Sequence, residues 1–158
     1  TWALFGLFVA IWGGGLYFAF STSDVGLALF WGRFLNLSAI FIPIFFTHFV
    51  YAFLDDKRRH FIFGAYSITA IYFVLALTNP SLFVVKVVPK SPFLLYPDAG
   101  PVYYAFPVLY GIIVSVGILK LIFAYRNASG IRRTQLNYLY LAMLIGFGGG
   151  ATTFPYVL

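Results

Sequence analysis

Long apolar runs separated by short polar segments dominate the chain. The runs cover about residues 1–20, 24–54, 61–77, 101–125 and 134–158. A helix needs about 20 apolar residues to cross the hydrocarbon core of a bilayer. The pattern therefore predicts an all-α fold, a polytopic transmembrane bundle of five spanning helices. These helices are expected to form one transmembrane domain over residues 1–158.

The second run is the longest of the five, and it contains polar residues. At about 1.5 Å per residue, residues 24–54 would form a helix of roughly 45 Å, longer than the hydrocarbon core of about 30 Å. Arg33, Asn36 and Ser38 lie inside this run, and Pro43 is expected to bend it. An unpaired Arg in lipid costs at least ~2.5 kcal/mol, so these residues should face other helices or a wet cavity. Asn36 and Ser38 are interpreted as donors of interhelical hydrogen bonds.

The segment between the third and fourth runs has a different character. Four prolines interrupt residues 79–100, so this segment is not expected to span the membrane. The β-branched residues around Lys86 alternate in the sequence VVKVV, which predicts a short strand or hairpin over the helix ends. A loop of this size is either a structural cap or a lid over a site.

The charged residues support a membrane protein and indicate its orientation. They make up 9% of the chain, whereas a soluble domain carries about 25%. Residues 54–60 and 126–135 each hold three Lys or Arg residues, and the connection at 21–24 holds none. Basic loops favour the cytoplasmic side, so the chain is expected to begin inside and to end outside the cell.

The same charges argue against several other functions. The formal charge of +6 lies mostly in the short loops, where a topology signal places it, and no nucleic acid is expected as a partner. The chain has no Cys and therefore no thiolate nucleophile. It also has no Glu, and no carboxylate is expected at membrane depth. His48 is interpreted as a hydrogen-bonded structural residue, because the only other histidine, His60, lies in a loop. No catalytic residue, metal site or cofactor is predicted.

Two groups of glycines lie within the apolar runs. Gly13 to Gly15 are expected to let helices approach closely, and Gly146 and Gly150 have the GxxxG spacing of a close helix contact. A phosphate-binding glycine loop would also need a preceding strand and a following Lys, and neither is present.

Three stretches carry a resemblance to a known family: LFGLFVAIWGGGLYFAF, LFWGRFLNLSAIFIPIFFTHFVYAFLDDKRR and IRRTQLNYLYLAMLIGFGGGATTFPYV. Their order resembles the seven-helix N-terminal membrane region of bacterial sensor histidine kinases and related signalling proteins. The matching positions are Trp12, Trp31, Arg33, Pro43, His48, Phe49, Arg132, Arg133, Gln135 and Gly146 to Gly150. The chain would then correspond to the second to sixth helices of that region.

The resemblance implies a sensory function in a bacterial cytoplasmic membrane, with the Thr1 end cytoplasmic and the Leu158 end extracytoplasmic. We expect a small apolar or amphipathic ligand as a partner, besides the lipid bilayer and neighbouring transmembrane helices or subunits. Arg33, Asn36, Tyr103 and Tyr104 are the predicted ligand contacts beneath the loop. The signal would pass to a cytoplasmic output domain absent from these residues, which contain no kinase motif.

Two alternatives remain open on the sequence. An accessory subunit of a respiratory or photosynthetic membrane complex would have the same apolar, aromatic-rich composition and would need no output domain. A transporter would be expected to carry intramembrane carboxylates or inverted repeats, and neither is found.

Overall fold

The computed structural model describes residues 1–57, 59–90 and 93–152, and these residues form a mostly helical bundle with one short β-hairpin. The helices are α1 (Trp2–Ser21), α2 (Val25–Ala39), α3 (Ile42–Phe53), α4 (His60–Thr78), α5 (Phe106–Asn127) and α6 (Gly130–Ala151). The strands β1 (Val84–Lys90) and β2 (Phe93–Ala99) lie between α4 and α5, with a single 3-10 turn on either side at Pro80–Leu82 and Tyr103–Ala105. The predicted helical membrane fold and its hairpin are confirmed.

Within the described ranges, four helical segments are long and apolar enough to cross a membrane. They are Trp2–Ser21, Val25–Phe53, His60–Thr78 and Tyr103–Asn127. The helix α6 has 22 residues but carries Arg132 and Arg133 near its start, and it is not among the four. A fifth crossing through α6 therefore stays a prediction. Three parts of the predicted elements lie outside the described residues: Arg58 within the basic loop, Ser91 and Pro92 within the proline-rich segment, and residues 153–158 at the end of the last helix.

The predicted second helix is divided in two. The helix α2 ends at Ala39 and α3 begins at Ile42, so the break lies just before Pro43. Proline has no N–H to donate to the carbonyl four residues earlier, which here belongs to Ala39. Together α2 and α3 form the centre of the bundle, because 67% of the residues in their most apolar stretch are buried, against 11% in that of α1.

Side-chain caps and small residues fix how the helices start and meet. Asp24 caps α2, since its Oδ1 accepts a hydrogen bond of 2.7 Å from the Leu27 N–H. A Cβ at Gly15 would lie 2.9 Å from the Cβ of Leu35, so α1 and α2 approach closely there, as predicted. At Gly117, α5 packs in the same way against the buried ring of Phe46 on α3.

The hairpin lies at one end of the bundle, and the basic loops lie at the other. Strand β1 pairs with β2 in antiparallel register, with Val88 opposite Tyr96. The base of the hairpin is closed by the Gly100 N–H, which donates to the Phe83 carbonyl at 2.8 Å. At the opposite end, Arg132 at the start of α6 donates to the Phe53 carbonyl at the end of α3, at 2.7 Å.

Candidate functional site

A cavity of about 220 Å³ lies beneath the hairpin, between the helices. Its walls come from α1, from α2 and α3 around their break, from α5 and from α6, and β2 forms the roof. The lining residues include Phe5, Val9, Trp12, Leu16, Phe20, Asn36, Ala39, Ile42, Tyr96, Pro97, Tyr103, Phe106, Tyr110, Met143, Gly146, Phe147 and Gly150. The cavity is therefore mainly aromatic and aliphatic, with a few amide and hydroxyl groups, which is the usual composition of a small-molecule site.

The roof of the cavity is held in place by aromatic stacking and one close backbone approach. The ring of Phe20, at the end of α1, stacks on Phe93 and Tyr96 of β2 with ring centroids 4.3 and 5.1 Å apart. A Cβ at Gly32 would lie 3.0 Å from the Cγ of Pro97, so α2 and β2 are in direct contact. Because Tyr96 and Pro97 line the cavity, the proline-rich segment covers it as well as capping the helix ends.

Asn36 and Ser38 do not make the interhelical hydrogen bonds that the sequence suggested. The Asn36 Nδ2 donates to the Gly32 carbonyl at 2.7 Å, and the Ser38 hydroxyl donates to the Leu35 carbonyl at 2.7 Å. Both bonds stay within α2, which is a common arrangement for short polar side chains in helices. Thr47 of α3 does make an interhelical bond, since its hydroxyl donates to the Ile113 carbonyl of α5 at 2.7 Å.

The four predicted ligand contacts separate into two groups. Asn36 and Tyr103 line the cavity, and Tyr103 is only 3% exposed. Tyr104 is 57% exposed and is not among the lining residues. The two tyrosines are neighbours in the 3-10 turn at Tyr103–Ala105. Neighbouring side chains of a 3-10 helix point about a third of a full rotation apart around its axis, so Tyr103 and Tyr104 face different surroundings.

Arg33 binds the hairpin and is not among the residues that line the cavity. Its Nε and Nη2 both donate to the Val84 carbonyl at 3.2 Å. Pairing with a backbone carbonyl is one way in which an Arg inside a membrane segment avoids being left unpaired. In the described part of the chain Asp98 pairs with Lys86 instead, at 3.9 Å. Arg33 also borders a smaller separate pocket of about 70 Å³.

The glycine-rich part of α6 has a different role from the one predicted. Within the described ranges, a Cβ at Gly146, Gly148, Gly149 or Gly150 would meet nothing within 4 Å, so the GxxxG spacing marks no close contact with a described helix. Instead, Gly146 and Gly150 line the cavity on the same face of α6 as Met143 and Phe147. The absence of side chains at these two positions leaves the space that the cavity occupies.

His48 is hydrogen-bonded across helices, as predicted. Its Nδ1 lies 2.8 Å from the Tyr66 hydroxyl, which joins α3 to α4. Across the described residues, no group of three His, Cys, Asp or Glu side chains is placed to hold a metal ion.

A group of polar contacts connects three helices at the basic end of the bundle. Lys120 of α5 forms an ion pair with Asp56, just after α3, and its Nζ lies 4.3 Å from the centroid of the Tyr51 ring. Arg132 of α6 lies over the Phe53 ring at 4.2 Å while it donates to the Phe53 carbonyl. We call this group, Tyr51, Phe53, Asp56, Lys120 and Arg132, the basic-end clasp.

Several lining residues were not predicted as site residues from the sequence. Trp12 entered only through the family resemblance, and neither Tyr96 nor Tyr110 was predicted to line a site. What these three residues share is that each is an aromatic residue directly before a Gly or Pro, namely Gly13, Pro97 and Gly111. That signal is too common in an aromatic-rich membrane protein to identify a site by itself.

The fold and the cavity define a multi-pass membrane protein with a roofed internal pocket. A family model for the N-terminal 7TM region of histidine kinase matches residues 1–157. The chain belongs to this family, and it is a membrane sensory region of a histidine kinase. Searches of curated proteins and of solved structures gave no match.

Proposed function

We propose that this sensory region detects a small apolar or amphipathic molecule in the cavity beneath the hairpin. The observation that carries the proposal is the position of the cavity, at the break between α2 and α3 and against α1, α5 and α6. A ligand there touches four separate parts of the bundle at once. Binding to one arrangement of these helices more tightly than to another would shift the population between them.

The packing of α6 suits it to be the element that moves. Of the residues of α6 that the structure describes, only Leu136 and Met143 are buried, so few buried contacts there fix its position. Among the described residues, none lies within 4 Å of a Cβ built at Gly146, on the side of the cavity, or at Gly148 and Gly149. A ligand that fills the cavity therefore gains contacts when α6 moves toward α1, and little existing packing opposes the movement.

The basic-end clasp would allow a helix displacement at the cavity to reach the other end of the bundle. It ties the end of α3 to α5 through Lys120 and Asp56, and to α6 through Arg132. By the distribution of basic residues, we assign this end to the cytoplasm, so the Thr1 end is cytoplasmic and the hairpin is extracytoplasmic. Helix displacement at the cavity would then reach a cytoplasmic output domain.

Filling the cavity from α6 tests the proposal without any added ligand. Gly146→Leu places a side chain in the cavity, whereas Gly148→Leu places the same side chain on α6 outside the lining. We expect Gly146→Leu to change the autophosphorylation rate of the reconstituted kinase about tenfold, because about 1.4 kcal/mol between two states changes their ratio tenfold. Gly148→Leu should stay within twofold of the wild type.

The level of membrane-inserted protein is measured for both variants, so that a folding defect is recognised. Equal autophosphorylation by the wild type and by inserted Gly146→Leu would contradict the proposal, since the cavity would then have no influence on output.

A further inference from the structure

We propose that the ligand of this cavity is a neutral aromatic molecule of one or two rings with a single hydroxyl or carbonyl group, which hydrogen-bonds to Tyr103. This inference rests on the proposed function, because it names the chemical class that the sensory cavity takes. Three properties of the lining carry it: the lack of charge, the arrangement of aromatic rings, and the hydroxyl of Tyr103.

Charge is the first property. Among the described residues that line the cavity, none is Asp, Glu, Lys, Arg or His. Arg33, the nearest cation along α2, donates to the Val84 carbonyl and borders the smaller pocket instead. A charged ligand would lose its hydration on entry and would find no opposite charge in the lining. The lining therefore selects against carboxylates, phosphates and ammonium groups.

The second property is the arrangement of aromatic rings. Rings come from opposite walls: Trp12 and Phe20 from α1, Phe106 from α5 and Phe147 from α6, with Tyr96 in the roof. Rings on several sides can contact a flat ligand by its faces and edges together, which favours an aromatic over a saturated ligand of the same size. An apolar cavity of about 150 Å³ holds benzene. A volume of about 220 Å³ therefore fits one ring with a substituent, or two fused rings.

The third property is the buried hydroxyl of Tyr103. In the part of the chain that the structure describes, no side-chain polar atom is both fully buried and without a partner. The Tyr103 hydroxyl makes no hydrogen bond to a described residue, so it must reach open space, and the open space beside this 3% exposed residue is the cavity. A phenol hydroxyl both donates and accepts, so it can bind a hydroxyl or a carbonyl of the ligand.

Binding of four matched probes tests the inference. They are 1-naphthol, naphthalene, 1-naphthoate and decahydro-1-naphthol, which separate the effects of the hydroxyl, the charge and the aromatic ring. Saturable binding is measured by equilibrium dialysis, as the difference between proteoliposomes and liposomes of the same lipid without protein. This difference removes the partitioning of the probes into the bilayer.

We expect saturable binding of 1-naphthol, and about fivefold weaker binding of naphthalene, which lacks the group that bonds to Tyr103. 1-Naphthoate should bind at least tenfold more weakly than 1-naphthol, and decahydro-1-naphthol severalfold more weakly. Tyr103→Phe should remove the difference between 1-naphthol and naphthalene. Tyr104→Phe is the matched control, because it deletes the same hydroxyl from the adjacent exposed residue, and it should preserve the difference.

Three results would overturn the inference. Binding of 1-naphthoate as tight as that of 1-naphthol would show that the cavity accepts charge. Equal binding of decahydro-1-naphthol would show selection by apolar size alone, as for a lipid chain, and no saturable binding of any probe would exclude this ligand class. None of these results decides the proposed function, which depends on the probe-free comparison of Gly146→Leu with Gly148→Leu.

Discussion

Gly100→Ala is expected to destabilise the hairpin by about 3 kcal/mol and to displace Tyr103 from the cavity. A Cβ at this position would lie 2.3 Å from the Leu82 carbonyl oxygen and 2.6 Å from that of Ser81. Both are backbone atoms, which cannot rotate away as a flexible side chain can, so the cost belongs to the upper part of the range for overpacked sites.

The same glycine fixes the path from the hairpin to the cavity. Its N–H donates to the Phe83 carbonyl at 2.8 Å, and its carbonyl accepts from the Tyr103 N–H at 3.0 Å. Moving the backbone to make room for a methyl group would therefore disturb the base of the hairpin and the 3-10 turn that holds Tyr103. The roof and the hydrogen-bonding group of the cavity should be lost together.

Hydrogen exchange of the hairpin amides measures this effect. Gly100→Ala should speed exchange over residues 84–90 about a hundredfold, whereas exchange within α3 should stay close to that of the wild type. Gly111→Ala is the control, because a Cβ there meets nothing within 4 Å and Ala is preferred to Gly inside a helix. Unchanged exchange of the hairpin in Gly100→Ala would show that the segment is not held as described.

Lys120→Met is expected to weaken the basic-end clasp and so to reduce the effect that changes in the cavity have on autophosphorylation. The substitution keeps an unbranched apolar stem and removes the charge that pairs with Asp56. The two side chains are 26% and 21% exposed, so the loss should amount to about 1–2 kcal/mol, more than for a pair on the open surface. With α3 and α5 less firmly tied, the change that Gly146→Leu causes in autophosphorylation should fall severalfold in the double variant.

The matched control uses the other ion pair of the described chain. Lys86→Met breaks the pair between Lys86 and Asp98, whose side chains are 64% and 45% exposed and whose charged atoms are 3.9 Å apart. This variant should leave the effect of Gly146→Leu unchanged. If Lys120→Met also leaves it unchanged, the signal does not pass through the clasp.

Much of the fold could be predicted because the membrane imposes simple rules on the sequence. Apolar runs of the required length indicated the helices, and the alternating residues around Lys86 indicated the hairpin. The division of the second helix was only partly predicted. Pro43 marked a bend, but the pattern of apolar residues continues through Ile40 and Phe41, so nothing in it indicated that two helices are present.

The site was harder to predict, because it depends on which residues meet across the bundle. Asn36 and Tyr103, two of the four predicted ligand contacts, line the cavity, but spacing along the chain could not separate Tyr103 from Tyr104. The glycines of α6 show the same limitation. Their spacing fits a close helix contact, and only the position of α6 relative to α1 shows that they border a cavity instead.

The most direct test of the central claim is to observe which tryptophan responds when a ligand binds. The chain has three tryptophans, and of these only Trp12 lines the cavity, whereas Trp2 and Trp31 lie elsewhere on α1 and α2. Labelling with 5-fluorotryptophan gives one fluorine resonance for each, assigned by single Trp→Phe variants. On titration with 1-naphthol, we expect a saturable shift of the Trp12 resonance alone. Equal shifts of all three resonances, or a shift confined to Trp2 or Trp31, would contradict it.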